Sequence, residues 1–149
     1  MFRYQGSEIK SIDDFPKDAF GFIYKTTNTI SGKSYIGKKV LYFNNKVKLG
    51  KKELEALPIV RGRYKTTKQV VKESNWKTYY GSHSEVKNIL KGGKEYEFVR
   101  EILHICFNKK QLSYYENKYL FSLGVIEKDK GEKYYNDNIS GTFFSKDLL

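Results

Sequence analysis

Residues 22–39 read FIYKTTNTISGKSYIGKK. Two short apolar runs, each carrying a tyrosine, flank a turn-rich stretch in which Asn28, Ser31 and Gly32 are the turn formers. The first run extends to AFGFIYK (19–25) and the second to KSYIGKKVLYF (33–43), so together they read as a β-hairpin. Strand alternation puts Phe20, Phe22 and Tyr24 on one face of the first strand. In the second, Tyr35 and Gly37 share a face opposite Ile36. Cross-strand aromatic packing is the simplest use for Tyr24 and Tyr35. The lysines around them, Lys25, Lys33, Lys38 and Lys39, raise a second use, at a phosphate.

Outward from the hairpin, residues 1–19 read as an irregular arm. Residues 44–78 are dense in lysine and hold a weak helix signal at 51–57, ended by Pro58. This stretch is expected to be a basic loop or insertion, since a long loop in a compact domain is usually functional or mobile. GSHSEVKNILKGG (81–93) reads as a short helix capped by Ser82 or Ser84 and stopped at Gly92-Gly93. EYEFVREILHICF (95–107) is a third strand, apolar on both faces and therefore central. NKKQLSYYENKYLFSLG (108–124) is the best helix, with Asn108 and Gln111 forming a capping-box-like start and Gly124 the stop. With 149 residues and no internal repeat, a single domain is expected.

Lysine and arginine number 28 against 17 acids, a formal charge of +11. Such an excess attracts polyanions irrespective of their sequence, which makes nucleic acid the expected partner. A lone cysteine, Cys106, excludes an intrachain disulfide and a zinc finger. GKK at 37–39 and 50–52 lacks the preceding glycine of a P-loop. No apolar run reaches membrane-spanning or signal-peptide length, so no membrane partner is expected and the cytoplasm is the expected location.

Within the best helix, Leu112, Tyr115, Tyr119, Leu120 and Leu123 form one apolar stripe, and Glu116 falls on it. A carboxylate on a core-facing stripe costs free energy unless it is paired. A metal ion, an arginine or a tyrosine hydroxyl would each serve, as would a lysine or escape to water at the stripe's edge. His104, alternating with Ile102 and Cys106, reads as a core histidine; His83, after YYGS, could act near a phosphate.

FIY (22–24), YIG (35–37) after ten intervening residues, YYGSHSEVKNIL (79–90), FVREIL, YYENKY and YYN occur in one order along the chain. This ordered set resembles the GIY-YIG nuclease superfamily, in its phage-type and homing-endonuclease-like members, over roughly residues 20–138. The resemblance implies an α+β fold, a small antiparallel three-stranded sheet flanked by helices, here with a basic insertion after the second strand. It also implies a metal-dependent endonuclease that hydrolyses phosphodiester bonds in DNA. Tyr24 matches the first motif tyrosine, a general base or orienter of water, and Tyr35 matches the second. Glu116 matches the single carboxylate that holds Mg²⁺ or Mn²⁺, and Asn136 an asparagine late in the core. A tyrosine acting as base needs its pKa lowered from about 10, which the neighbouring lysines would supply.

The chain departs from the pattern in two places. Phe22 stands where glycine is common, with Gly21 just before it. Asn88 stands on the helix where relatives carry an arginine that stabilises the transition state. Arg63 or Arg61, in VRGRYK, could supply it instead; Lys38, Lys39 or Lys87 could substitute only as a point charge. Lys38, Lys39, Lys65, Lys68, Lys72, Trp76 and His83 are the candidate DNA contacts. The chain would act as a monomer or homodimer. The alternative is a non-catalytic nucleic-acid-binding protein on a degenerate nuclease scaffold.

Overall fold

In a computed structural model of the chain, which describes residues 1–57, 66–128 and 132–148, the hairpin read from the sequence is present. Gly21–Asn28 forms strand β3 and Ser34–Val40 forms strand β4, antiparallel, with Tyr24 opposite Gly37 and Thr26 opposite Tyr35. The turn between them is held by Asn28, whose Oδ1 accepts from the Ile30 and Ser31 amides.

The sheet around this hairpin has five strands rather than three. Its order is β2 (Ser7–Ile9), β1 (Phe2–Tyr4), β7 (Phe98–Cys106), β3, β4. Strand β7 is central, as its two apolar faces require, although residues 95–97 form a 3-10 turn before it. Strand β1 pairs with β7 in parallel, so the sheet is mixed rather than purely antiparallel. The N-terminal arm is therefore part of the sheet. Phe2 and Ile9 are buried, and the two-residue turn Gln5-Gly6 has positive φ at both positions, as a tight hairpin demands. Three-residue strands are too short to show alternation, which hides them in the sequence.

The two sheet faces carry separate cores. One is aromatic: Phe2, Phe15, Phe22, Tyr24, Trp76 and Ile102 pack together, with Phe15 and Trp76 edge-to-face at 5.1 Å between centroids. Phe20, expected beside Phe22, instead packs on the other face with Ile23, Ile36, Cys106, Leu112 and Leu120. That second face is covered by helix α3 (Lys109–Ser122). Asn108 caps α3 by accepting from the Gln111 amide, and Gln111 reaches back to the Phe107 amide. Leu123, expected on the stripe, is exposed beyond the helix end. Helix α2 (Ser84–Lys91) is capped by His83, whose Nδ1 accepts from the Glu85 amide at 3.2 Å, rather than by a serine.

Residues Tyr42–Ser74 form a second compact unit, apart from the unit of Met1–Leu41 and Asn75–Leu149. The expected second strand breaks at Leu41, which is buried in the aromatic core. Beyond it, β5 (Tyr42–Lys48) pairs antiparallel with β6 (Thr67–Glu73), and a short helix α1 (Lys51–Glu55) lies between them in sequence. Among the described residues, the stretch read as a loop or insertion thus contains a β-ribbon. Its residues are exposed on both faces, so no buried-in, polar-out alternation marks it. Strands Asn138–Ile139 (β8) and Phe143–Phe144 (β9) close the chain as a small hairpin.

Candidate active site

Strand β4 is an edge strand, so its outward amides need partners from elsewhere. Ser34 bonds Lys133 and Tyr135 through the backbone. Ile36 is bonded twice by one side chain: Asn136 accepts from the Ile36 amide at 3.0 Å and donates to its carbonyl at 2.8 Å. The Lys38 amide donates to the Glu116 carboxylate. Edge closure thus explains why an acid sits on the apolar stripe of α3. Burial pushes the Glu116 carboxyl above its ordinary range, while Lys38, through its amide and its ammonium at 3.8 Å, draws it back down.

Beside this edge lies an open hollow of about 410 Å³ lined by Tyr35, His83, Glu116, Asn136 and Asp137, among others. Tyr35, half-buried, is held by a 3.0 Å hydrogen bond between its hydroxyl and that of Ser82. Its ring also packs on Gly81, where φ is +131° and an added Cβ would crowd the ring at 2.9 Å. His83 faces Asp137, Nε2 to Oδ2 at 3.8 Å.

Tyr24 reaches the same region from beneath. Its ring lies across Gly37, where any Cβ would collide with the phenol oxygen. The two tyrosine rings stand 6.3 Å apart, and the Tyr24 phenol is hydrogen-bonded to that of Tyr79. Tyr24 is only 1% exposed and does not line the hollow. A register shift between Ile23 and Tyr24, opposite Leu103, sits directly beside it.

The expectation of acidified tyrosines is not met. Burial drives the Tyr24 phenol well above the ordinary tyrosine range, with Tyr35, Tyr79 and Glu116 adding to it. Burial also raises Tyr35, against the opposing Ser82 hydrogen bond. The lysines do not reverse this because they are engaged elsewhere. Lys33 pairs with Glu85 and Glu132, Lys38 with Glu116, and Lys39 donates to Asn75 at 2.6 Å. Lys25 alternates to the other face of β3 from Tyr24.

Burial and pairing bear on several of the expected catalytic and DNA-contacting residues. Trp76 is 1% exposed at the centre of the aromatic core, so its indole has no face to offer a base. Lys39 is buried, its ammonium over the Tyr79 ring at 4.1 Å, and burial lowers its pKa. Asn136 is buried and spent on the Ile36 backbone; it builds the wall of the hollow rather than presenting a free amide. Lys68 is exposed but paired with Glu53 of α1. Lys72 is exposed on β6. Arg61, Arg63 and Lys65 lie outside the described residues. Asn88 is exposed on α2, and among the described residues no arginine lines the hollow.

Four residues contribute in roles not expected from the sequence: Tyr79, Ser82 (expected only as a helix cap), Asp137 and Arg100. Three of them sit within motifs that could have flagged them, YYGSHS and YYND. Arg100 is 4% exposed, sandwiched between the Phe2 and Tyr80 rings at 4.2 and 4.1 Å, and it donates to the Tyr79 carbonyl at 2.9 Å. Burial lowers its pKa. It fixes the segment that carries Tyr79 and Ser82.

For a divalent cation, the hollow offers hard oxygen donors. Glu116 and Asp137 both line it, and its volume leaves room for water and phosphate oxygens. That donor set fits Mg²⁺ or Mn²⁺, which need few protein ligands. Among the described residues, no three His, Cys, Asp or Glu side chains cluster as a metal site.

A mixed sheet with helix α3 packed on one face and a phenol-and-carboxylate hollow beside its edge strand makes an α+β domain with a candidate reaction centre. The family model described as "Putative endonuclease segE, GIY-YIG domain" matches residues 3–139, and the chain belongs to this GIY-YIG endonuclease family. No curated protein and no solved structure matches it. Among the described residues, no helix is long and apolar enough to cross a membrane.

Proposed function

We propose that the chain is a metal-dependent endonuclease that hydrolyses phosphodiester bonds in DNA, with its reaction centre in the hollow beside β4. One observation carries this reading. Tyr35 and Glu116, from a strand and a helix far apart in sequence, share the wall of one open hollow, with Lys38 beside the carboxylate.

Glu116 is the residue that would hold Mg²⁺ or Mn²⁺, and Asp137, on the wall of the same hollow, would accept hydrogen bonds from the cation's water. A cation there supplies charge neutralisation at the non-bridging phosphate oxygens. Tyr35, steadied by Ser82, orients water or a phosphate oxygen in the hollow. Tyr24, buried and protonated, acts one layer back: with Tyr79 it fixes the position of the Tyr35 ring rather than serving as a pre-ionised base. Lys38, its ammonium 3.8 Å from the carboxylate, offers a cation to the transition state. His83, between Tyr35 and Asp137, keeps its Nδ1 as the acceptor of the Glu85 amide, so its Nε2–H can donate a hydrogen bond to a phosphate or leaving oxygen.

Plasmid nicking in Mg²⁺, comparing the native chain with Glu116→Ala, tests the reading. Cleavage is expected to vanish while DNA binding persists. Nicking by the variant at the native rate would sink the proposal. The lack of an arginine on the hollow among the described residues favours the non-catalytic reading; a native chain that binds DNA without ever nicking it would establish that alternative.

A further inference from the structure

Strands β5 and β6 pair over seven residues each, from Tyr42 opposite Glu73 to Lys48 opposite Thr67. Every residue of both strands is exposed. A two-stranded ribbon gains little stability by itself in water, so one of this length whose strand residues all stay exposed is suited to a partner that covers it. The unit that holds it, Tyr42–Ser74, carries nine of the 28 lysines and arginines against three of the 17 acids. That balance favours a polyanion over a second copy of the chain, whose like charge would repel it.

The two faces of the ribbon differ. One carries Phe43, Val47 and Val70 with Asn45, Lys72 and Lys68, the Lys68 ammonium being paired with Glu53. The other carries Asn44, Lys46, Lys48 and Gln69 with Thr67 and Val71, and Tyr42 and Glu73 at its far end. On this second face Asn44 Nδ2 donates to Gln69 Oε1 at 3.2 Å, across the strands. The bond leaves Asn44 an amide acceptor and Gln69 an amide donor for an outside partner. That donor–acceptor pair matches the adenine edge in the major groove, and Val71, 64% exposed, suits a thymine methyl. The major groove, about 12 Å wide, admits a two-stranded ribbon, whereas the minor groove, about 6 Å wide, does not.

We propose that the Asn44–Gln69 face of the β5–β6 ribbon lies in the major groove of duplex DNA, reading A·T pairs while Lys46 and Lys48 contact the flanking phosphates. The proposal deepens the endonuclease reading by naming duplex DNA as substrate and the ribbon as its reader; the test below is independent of cleavage.

The full chain carrying Glu116→Gln is used to select binders from a random-sequence 40-bp duplex library. The selected pool is expected to share an A·T-containing element. Asn44→Ala/Gln69→Ala should lose about ten-fold or more of the discrimination for that element, at the salt slope of the parent. Lys46→Ala/Lys48→Ala should instead keep the element and flatten the log–log salt dependence by about two. Replacing adenine by 7-deazaadenine removes the major-groove acceptor alone. It should weaken binding by the parent and leave the Asn44/Gln69 double variant unaffected. A selected pool with no shared element would overturn the proposal, as would discrimination that survives the double variant or equal sensitivity of both proteins to 7-deazaadenine. Because cleavage is not read here, a failure leaves the Glu116 nicking assay to stand or fall by itself.

Discussion

The side-chain amide of Asn136 bonds both the N–H and the C=O of Ile36, standing in for a neighbouring strand at the sheet edge formed by β4 among the described residues. One residue thereby satisfies two backbone groups beside the hollow, and it fixes the strand that carries Tyr35. Asn136→Ala should leave both groups unpaired and destabilise the fold by about 3 kcal/mol. Asn136→Asp should also destabilise, because its carboxylate would oppose the Ile36 carbonyl. Urea unfolding measures both; native stability in either variant would show that water replaces the amide.

Glu116 is held above its ordinary range by burial, against the pull of Lys38. A carboxyl raised on folding favours the folded state fully below its unfolded pKa, and that contribution is lost as pH rises through the folded value. At neutral pH its ionised form is therefore a burden. Glu116→Gln should stabilise the metal-free protein at pH 7 by less than about 1 kcal/mol, and the gain should disappear near pH 4. Thermal melting in a chelator at both pH values checks this.

Lys38→Met removes the cation that draws the Glu116 carboxyl down. The acid limb of the nicking rate should then move to higher pH, with cleavage weakened throughout. A profile that keeps its acid limb while losing amplitude would separate the charge of Lys38 at phosphate from its effect on Glu116.

Gly37 and Gly32 make a controlled pair. An alanine Cβ at Gly37 meets the Tyr24 phenol, whereas at Gly32 there is open space and only a φ of +76° to oppose it. Gly32→Ala should cost about 1 kcal/mol in stability with cleavage intact. Gly37→Ala should cost more, about 2 kcal/mol, and should depress cleavage beyond what unfolding explains, since Tyr24 must move. Nicking rates at a temperature where both variants are folded distinguish the two.

His104 stacks on Tyr115 at 3.8 Å, and burial, with Lys118 nearby, lowers its pKa. A depressed histidine contributes stability above its unfolded pKa, and that stability is lost as pH falls through the folded value. The chain should lose stability below about pH 6.5, and His104→Phe should flatten that loss. Urea midpoints at pH 7.5 and pH 5 give the comparison.

Sequence by itself determined the β3–β4 hairpin, the central place of β7, the limits of α3 and the anomaly of Glu116 on an apolar stripe. These rest on turn chemistry, capping and periodicity, which act over a few residues and leave their mark locally. Only the tertiary structure decided that Phe2 and Ile9 complete the sheet, that Trp76 and Lys39 are buried rather than offered to DNA, and that Tyr24 lies beneath the hollow while Tyr35 lines it. The physical reason is that burial and strand pairing depend on what arrives from distant segments. A tryptophan reads the same whether it meets a base or Phe15, and an exposed ribbon has no buried side to leave a pattern.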